Sequence, residues 1–224
     1  MRFKNLKLIG TSHIAKESVE AVKNYIAHQK PDIVAVELDR SRLAALFDKR
    51  DRKFHFKDIK RVGLSGFIFS LIGAWVEKKL GEKVGVAPGS EMLSAIKLAE
   101  QSGAKIALID QDIGITLRRL SQSFSWKEKF RIIVDIIKGV VWRKSVVSFD
   151  LRKVPSEKLI QKLMKEVKVR YPNLYRVLVS ERNEVMAQRL AKLIKDFPEK
   201  RILAVIGAGH ESELIILVKK YLNL

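Results

Sequence analysis

Leu6-Lys7-Leu8-Ile9-Gly10-Thr11-Ser12-His13 reads as a short buried strand that stops at a glycine and then delivers a histidine. Near the other end, Ile202-Leu203-Ala204-Val205-Ile206-Gly207-Ala208-Gly209-His210 repeats the arrangement. Both junctions are spelled G-x-x-H. In an open α/β sheet, ligands bind outside the carboxyl ends of the strands. His13 and His210 are therefore expected on one rim, where they can meet despite their separation in sequence. Taken singly, a glycine after an apolar strand is ordinary turn chemistry, and a histidine beside it can simply cap a helix. The repeat, in a chain with only four histidines, favours a shared site.

From the first junction, Ala15, Val19, Val22 and Ile26 recur at helical spacing and predict a helix over about 15–29. Ile33-Val34-Ala35-Val36 is the second strand, so the order strand–helix–strand predicts a right-handed crossover. Lys105-Ile106-Ala107-Leu108-Ile109 is a third strand, ending in Asp110. The fold class is α/β, with a mostly parallel central sheet flanked by helices. Leu43, Leu46 and Phe47 belong to a helix that Asp39 can cap. Met92, Ala95, Ile96 and Ala99 form the inner stripe of another, with Ser90 as its natural cap.

The part from about 126 to 169 reads as a helical lobe inserted into a single domain of 224 residues. Ser125-Trp126-Lys127-Glu128 matches a capping box. Phe130, Ile133, Val134 and Ile137 follow at helical spacing, and Trp126 and Trp142 are expected to anchor packing. Tyr171-Pro172 opens a long helix. Leu174, Val177, Leu178 and Val185 draw its apolar lane, which Glu181 interrupts.

Lys and Arg number 44 against 25 Asp and Glu, a formal net charge of +19. Such an excess can attract nucleic acid or an anionic membrane. The cations are spread over many segments with no nucleic-acid motif, so nucleic acid is not the expected partner. There is no cysteine, so any metal must use histidine, carboxylate and water. The first residues lack the apolar core of a signal peptide, which leads us to expect a cytoplasmic protein. The most apolar passage runs from Val62 to Val76 between basic residues. It is shorter than the roughly 20 residues that span a bilayer. It is expected to pack in the core or a homodimer, or to lie on the inner face of the membrane. His55 sits in a polar stretch with no evident partner.

The candidate site gathers residues around the two histidines. Glu37 follows four apolar strand residues directly and reads either as an exposed strand-end charge or as a carboxylate emerging into a crevice. Glu91 suits the dipole of its helix and can equally reach a metal. A metal-assisted hydrolase is the economical hypothesis. His13, His210 and Glu37 or Glu91 would hold zinc or manganese, and the metal would activate a water. Arg182, or less readily Arg40, would bind a substrate carboxylate or a developing oxyanion. Glu181, beside Arg182, belongs to the rim or to a salt bridge. A metal-free variant would use one histidine as general base.

Several stretches resemble the TraB family, which includes the PrgY pheromone-shutdown proteins, and especially its archaeal members. The matching pieces are Gly10-Thr11-Ser12-His13 with Ser18, and Pro31-Asp32 through Glu37-Leu38-Asp39-Arg40. They continue with Pro88-Gly89-Ser90-Glu91-Met92, Leu108-Ile109-Asp110, Ile115-Thr116-Leu117, Glu181-Arg182-Asn183 with Met186-Ala187, and Gly207-Ala208-Gly209-His210. The resemblance implies a core related to GumN and Tiki-type proteins and, more distantly, to the erythromycin esterase and ChaN folds. It also implies a metal-dependent peptidase acting on short peptides, with His13, His210 and Glu37 or Glu91 in the working roles. A pheromone-shutdown protein that only captures a peptide or small anion is the alternative, and a membrane-surface or partner-binding protein a third. Many archaeal relatives carry membrane helices after this domain, and this sequence shows none. Three positions depart from the family pattern. Gln111 stands where arginine is usual, Asn183 where aspartate is usual, and Glu213 where the last motif has glycine.

Overall fold

The two ends of the chain lie side by side in one sheet. A computed structural model describes residues 1–11, 16–47, 90–142 and 157–223. Strand β2 (Leu6–Thr11) runs parallel to β5 (Ile202–Gly207), in register from Leu6 opposite Ile202 to Thr11 opposite Gly207. On the other side of β5 lies β3 (Ile33–Val36), and beyond it β4 (Lys105–Leu108), both parallel. A short β1 (Arg2–Phe3) pairs antiparallel with β2 at the edge. The order is β1-β2-β5-β3-β4, which confirms the mostly parallel α/β sheet.

Alternation along the strands builds a layer of helices on each face. On one face Ile202, Ala204 and Ile206 join Leu6, Leu8, Ile33 and Ala35. These pack on α8 (Glu181–Asp196) through Met186, Ala187, Leu190 and Ile194, and on α9 (Glu211–Tyr221) through Leu214 and Val218. On the other face Leu203, Val205, Val34 and Val36 meet Val22 and Ile26 of α1 (Lys16–Gln29). Met92, Ala95, Ile96 and Ala99 of α3 (Ser90–Gln101) complete that layer, as their spacing predicts. β3 and β5 are buried along their whole length, as expected of parallel strands covered on both sides. Each buried Leu, Ile or Val is worth about 1.5–3 kcal/mol, so these two faces hold the sheet and leave its rim available for polar groups.

Asp39 caps α2 (Arg40–Phe47), its Oδ1 accepting from the amides of Ser41 at 2.7 Å and Arg42 at 3.2 Å. Asp112 caps α4 (Ile113–Ser123) through the amide of Ile115 at 3.1 Å. The capping box at the start of α5 (Trp126–Trp142) is also present. The Glu128 amide donates to Ser125 Oγ at 3.2 Å, and the Ser125 amide to Glu128 Oε2 at 3.2 Å. Glu128 does more than close its own turn. After α6 (Glu157–Arg170) comes α7 (Pro172–Tyr175), where the amide and side chain of Asn173 both donate to Glu128 at 2.8 Å. One buried carboxylate therefore ties two helix starts together, taking an amide that a helix N-terminus cannot satisfy internally.

Some packing expectations are overturned. Trp126 is 83% exposed and Phe130 70%. Trp126 opens α5 and lies flat under the Lys129 ammonium, 4.5 Å from its ring centroid, instead of anchoring the core. Ile132, not Phe130, meets the cluster of Leu120, Phe124 and Val177. Phe47 is likewise exposed at the end of α2. The passage from Val62 to Val76, His55 and part of the expected helical lobe lie outside the described residues. Among the described residues, no helix is long and apolar enough to cross a membrane.

Burial disfavours charge on Glu128, but its hydrogen bonds from Asn173 and Ser125 prevail and hold its pKa below the ordinary value. A depressed folded pKa stabilises the fold fully above the ordinary glutamate value of 4.5 and ceases to do so as pH falls through the lower, folded value. Glu128→Ala is expected to lower unfolding stability at neutral pH by about 1–3 kcal/mol. Urea titrations at pH 7 and below pH 4 should show the gap between the two proteins closing in acid.

Candidate functional site

The carboxyl ends of three neighbouring strands supply a buried ionic cluster. Glu37 follows β3 directly, Asp110 lies just beyond β4, and His210 follows the turn after β5. All three are buried. Arg182 enters from the first turn of α8. Its Nε donates to Asp110 Oδ1 at 2.9 Å and its Nη2 to Asp110 Oδ2 at 2.8 Å. Nη2 also donates to Glu37 Oε1, whose Oε2 accepts the backbone amide of Gly207. Nη1 donates to the Leu178 carbonyl at 3.1 Å and lies 3.4 Å from His210 Nε2. That nitrogen is also 3.4 Å from Glu37 Oε1. Burial works against the charged guanidinium, but Glu37 and then Asp110 outweigh it and drive the Arg182 pKa upward. Arg182 is a fixed cation.

His210 is held from its other side. Its Nδ1 lies 2.7 Å from Asn183 Oδ1, and Asn183 Nδ2 donates to Glu213 Oε2 at 3.0 Å. The Tyr175 hydroxyl donates to Glu213 Oε1 at 2.6 Å. Burial, then this carboxylate, push the Tyr175 pKa up, so the hydroxyl keeps its proton. Glu213 also lines a cleft of about 360 Å³ between α6 and the turn after β5. Gly209 and Glu211, on either side of His210 in sequence, line it too, as do Lys165 and Lys168.

A change of helical form explains which residues face inward. Between α7 and α8, residues Arg176–Ser180 form a π-helical stretch. Such a wide turn shifts the phase of the helix beyond it and is frequent at functional sites. Reckoning by an uninterrupted α-helix puts Glu181 in the apolar lane. The structure instead turns Arg182 to the cluster and Glu181 to Arg119, which donates from Nε at 2.6 Å and Nη2 at 2.9 Å. Glu181 therefore makes a salt bridge between helices. Arg40 is exposed. From α2 it is Arg42 that reaches Asp110, at 3.0 Å, and sequence reading missed it. Glu91 is buried in the first turn of α3, a helix on the opposite face of the sheet from α8. Asn183 and Glu213 entered the sequence reading only as departures from a pattern.

His13 lies outside the described residues. The strand that leads to it ends beside the other junction, since Thr11 pairs with Gly207 and the Ala208 amide donates to the Thr11 carbonyl at 2.8 Å. The approach there is close. A methyl group on Gly10 would meet Glu211 Oε2 at 2.5 Å, a side-chain end that can swing aside, and the Ala208 backbone at 3.2 Å, a tight contact that favours glycine there.

The profile of the TraB/PrgY/gumN family matches residues 3–212. The chain belongs to this family. An uncharacterized protein of Methanocaldococcus jannaschii is 39% identical over 224 residues, covering 98% of this chain and 54% of that protein. TraB domain-containing proteins of Mus musculus and Homo sapiens are 25% and 24% identical, each over 91% of this chain and 60% of their own length. This TraB-family chain thus spans little more than half the length of these relatives.

The zinc or manganese expected from the sequence would be held by His13 with His210 and Glu37 or Glu91, and His13 lies outside the described residues. Among them no three His, Asp or Glu side chains are arranged to hold a metal ion. Glu37 and Asp110 already share the Arg182 cation, which would repel a second positive charge.

Removing the guanidinium leaves Glu37 buried without that cation and Asp110 with only Arg42. Breaking a buried pair this way costs about 3–5 kcal/mol, so Arg182→Met is expected to destabilise the fold by that order. Chemical denaturation will measure it, and Arg182→Lys should recover only part, because an ammonium cannot present the same fork to Asp110.

Proposed function

We propose that this chain is a hydrolase of short peptides, with its reacting centre at His210. One observation carries the reading. A buried histidine, a fixed arginine cation and a carboxylate meet at the strand ends of an open α/β sheet, beside a cleft large enough for a short peptide.

His210 Nε2 would accept the proton of a water as its oxygen attacks the scissile carbonyl carbon. The tetrahedral oxyanion would draw on the nearby positive charge of Arg182. The C–N bond then breaks, and the proton held by His210 passes to the departing amine. The products are a carboxylate and a free amine. Lys165 and Lys168 on the cleft wall suit a substrate carboxylate, and Glu211 a substrate amine.

Capture of a peptide without cleavage is the second reading. It is favoured by the commitment of Asp110 and Glu37 to Arg182, which satisfies both carboxylates internally.

Mass spectrometry of a short-peptide library incubated with the chain tests both readings. Each reaction is run with chelator, with added Mn²⁺ and with added Zn²⁺. Cleavage is expected, with His210→Ala lowering kcat by about 10²–10⁴-fold, the usual worth of a positioned base. Unchanged cleavage in His210→Ala would remove the histidine from the reaction. Binding of peptide by the wild type with no cleavage under any condition would establish capture instead.

A further inference from the structure

We propose that Asn183 and Glu213 are positioning residues that fix the proton of His210 on Nδ1. The inference rests on the reading of His210 as the reacting group. Glu213, as a carboxylate, can only accept hydrogen bonds. It accepts one from the Tyr175 hydroxyl at 2.6 Å and one from Asn183 at 3.0 Å, with the Lys168 ammonium 3.6 Å away. The group that Asn183 turns toward Glu213 must therefore be its NH₂. That settles the orientation of an amide whose two ends look alike by shape.

With the NH₂ committed, the carbonyl of Asn183 points at His210 Nδ1 from 2.7 Å. A carbonyl can only accept, so Nδ1 must carry hydrogen. In the neutral ring the lone pair then belongs to Nε2, on the side of Glu37 and Arg182. Reversing the amide would set its oxygen against the Glu213 carboxylate, a repulsive contact, and would turn its NH₂ to Nδ1, driving the ring hydrogen to Nε2. Asn183 is fully buried, so water cannot readily relieve that repulsion. The histidine is thus oriented by a carboxylate it does not touch. Glu213 also lines the cleft, so the relay runs from the cleft wall to the imidazole.

Nitrogen NMR of histidine-labelled full-length chain, at a pH where the ring is neutral, reads the tautomer directly. The wild type is expected to show His210 with a protonated Nδ1 and a bare Nε2. Glu213→Ala should turn that pattern into a mixture of tautomers, because the amide loses the partner that orients it. Glu213→Gln should restore it, since a glutamine oxygen can still accept from Asn183. Glu213→Gln also answers the concern that the alanine variant is misfolded. Protonated Nε2 in the wild type, or a pattern unmoved in folded Glu213→Ala, would overturn the proposal. The ring is read without substrate, so failure of the hydrolase reading and failure of this one are separate results. Where cleavage is found, Glu213→Ala should lower kcat on the order of 10–100-fold, with KM little changed.

Discussion

A single guanidinium closes the rim of this sheet. Arg182 satisfies Asp110 with two parallel hydrogen bonds and Glu37 with a third, and those carboxylates end adjacent strands. Two negative charges at neighbouring strand ends would repel in a setting of low dielectric. The cation makes their proximity favourable. A buried salt bridge is weak evidence for net stability, because both charges must leave water. Its value here is geometric. The same atoms that neutralise the carboxylates hold a positive charge 3.4 Å from an imidazole nitrogen. The apolar faces of the sheet supply the stability, and the cluster fixes the positions of the groups at its rim.

The sheet itself was readable because parallel strands covered on both sides leave a plain mark. Ile33–Val36 and Ile202–Gly207 are unbroken apolar runs ending in polar residues or a glycine turn, and both prove central. The shared motif at the ends of β2 and β5 put both junctions on one rim, but that the two strands pair directly emerges only from the structure. Helical stripes were legible where a helix covers the sheet, as with Met92, Ala95, Ile96 and Ala99. They failed where a helix covers only other helices. There Trp126 and Phe130 look like core residues by spacing, yet are exposed.

The strand-borne residues of the site and Arg182 were legible, whereas the choice between rim and salt bridge for Glu181, and the part of Arg42, were not. Glu37, Asp110 and His210 sit where strand ends must put them. Arg182 and Glu181 depend on the phase of a helix, and five π-helical residues change that phase. No residue in Arg176–Ser180 announces a wide turn, so ordinary spacing left Glu181 open between the rim and a salt bridge, and the structure takes the salt bridge. Arg42 was missed on similar grounds, since residues two apart on a helix point in different directions. An exposed position at Arg40 carries no information about the one that reaches Asp110.

The departures from the family pattern gain sense once their contacts are known. Asn183 and Glu213 are thirty residues apart and hydrogen-bonded to each other. Where aspartate stands in the pattern, this chain has an amide, which brings no charge of its own to the histidine. Where glycine stands, it has a carboxylate, which supplies that charge one link farther away. An ionised aspartate at 183 facing a glutamate at 213 would set two acceptors 3.0 Å apart with no hydrogen between them, so the carboxylate at 213 requires a donor at 183. The two positions therefore act as one feature. The negative charge is retained in the row behind His210, and the amide between them passes on direction without passing on charge.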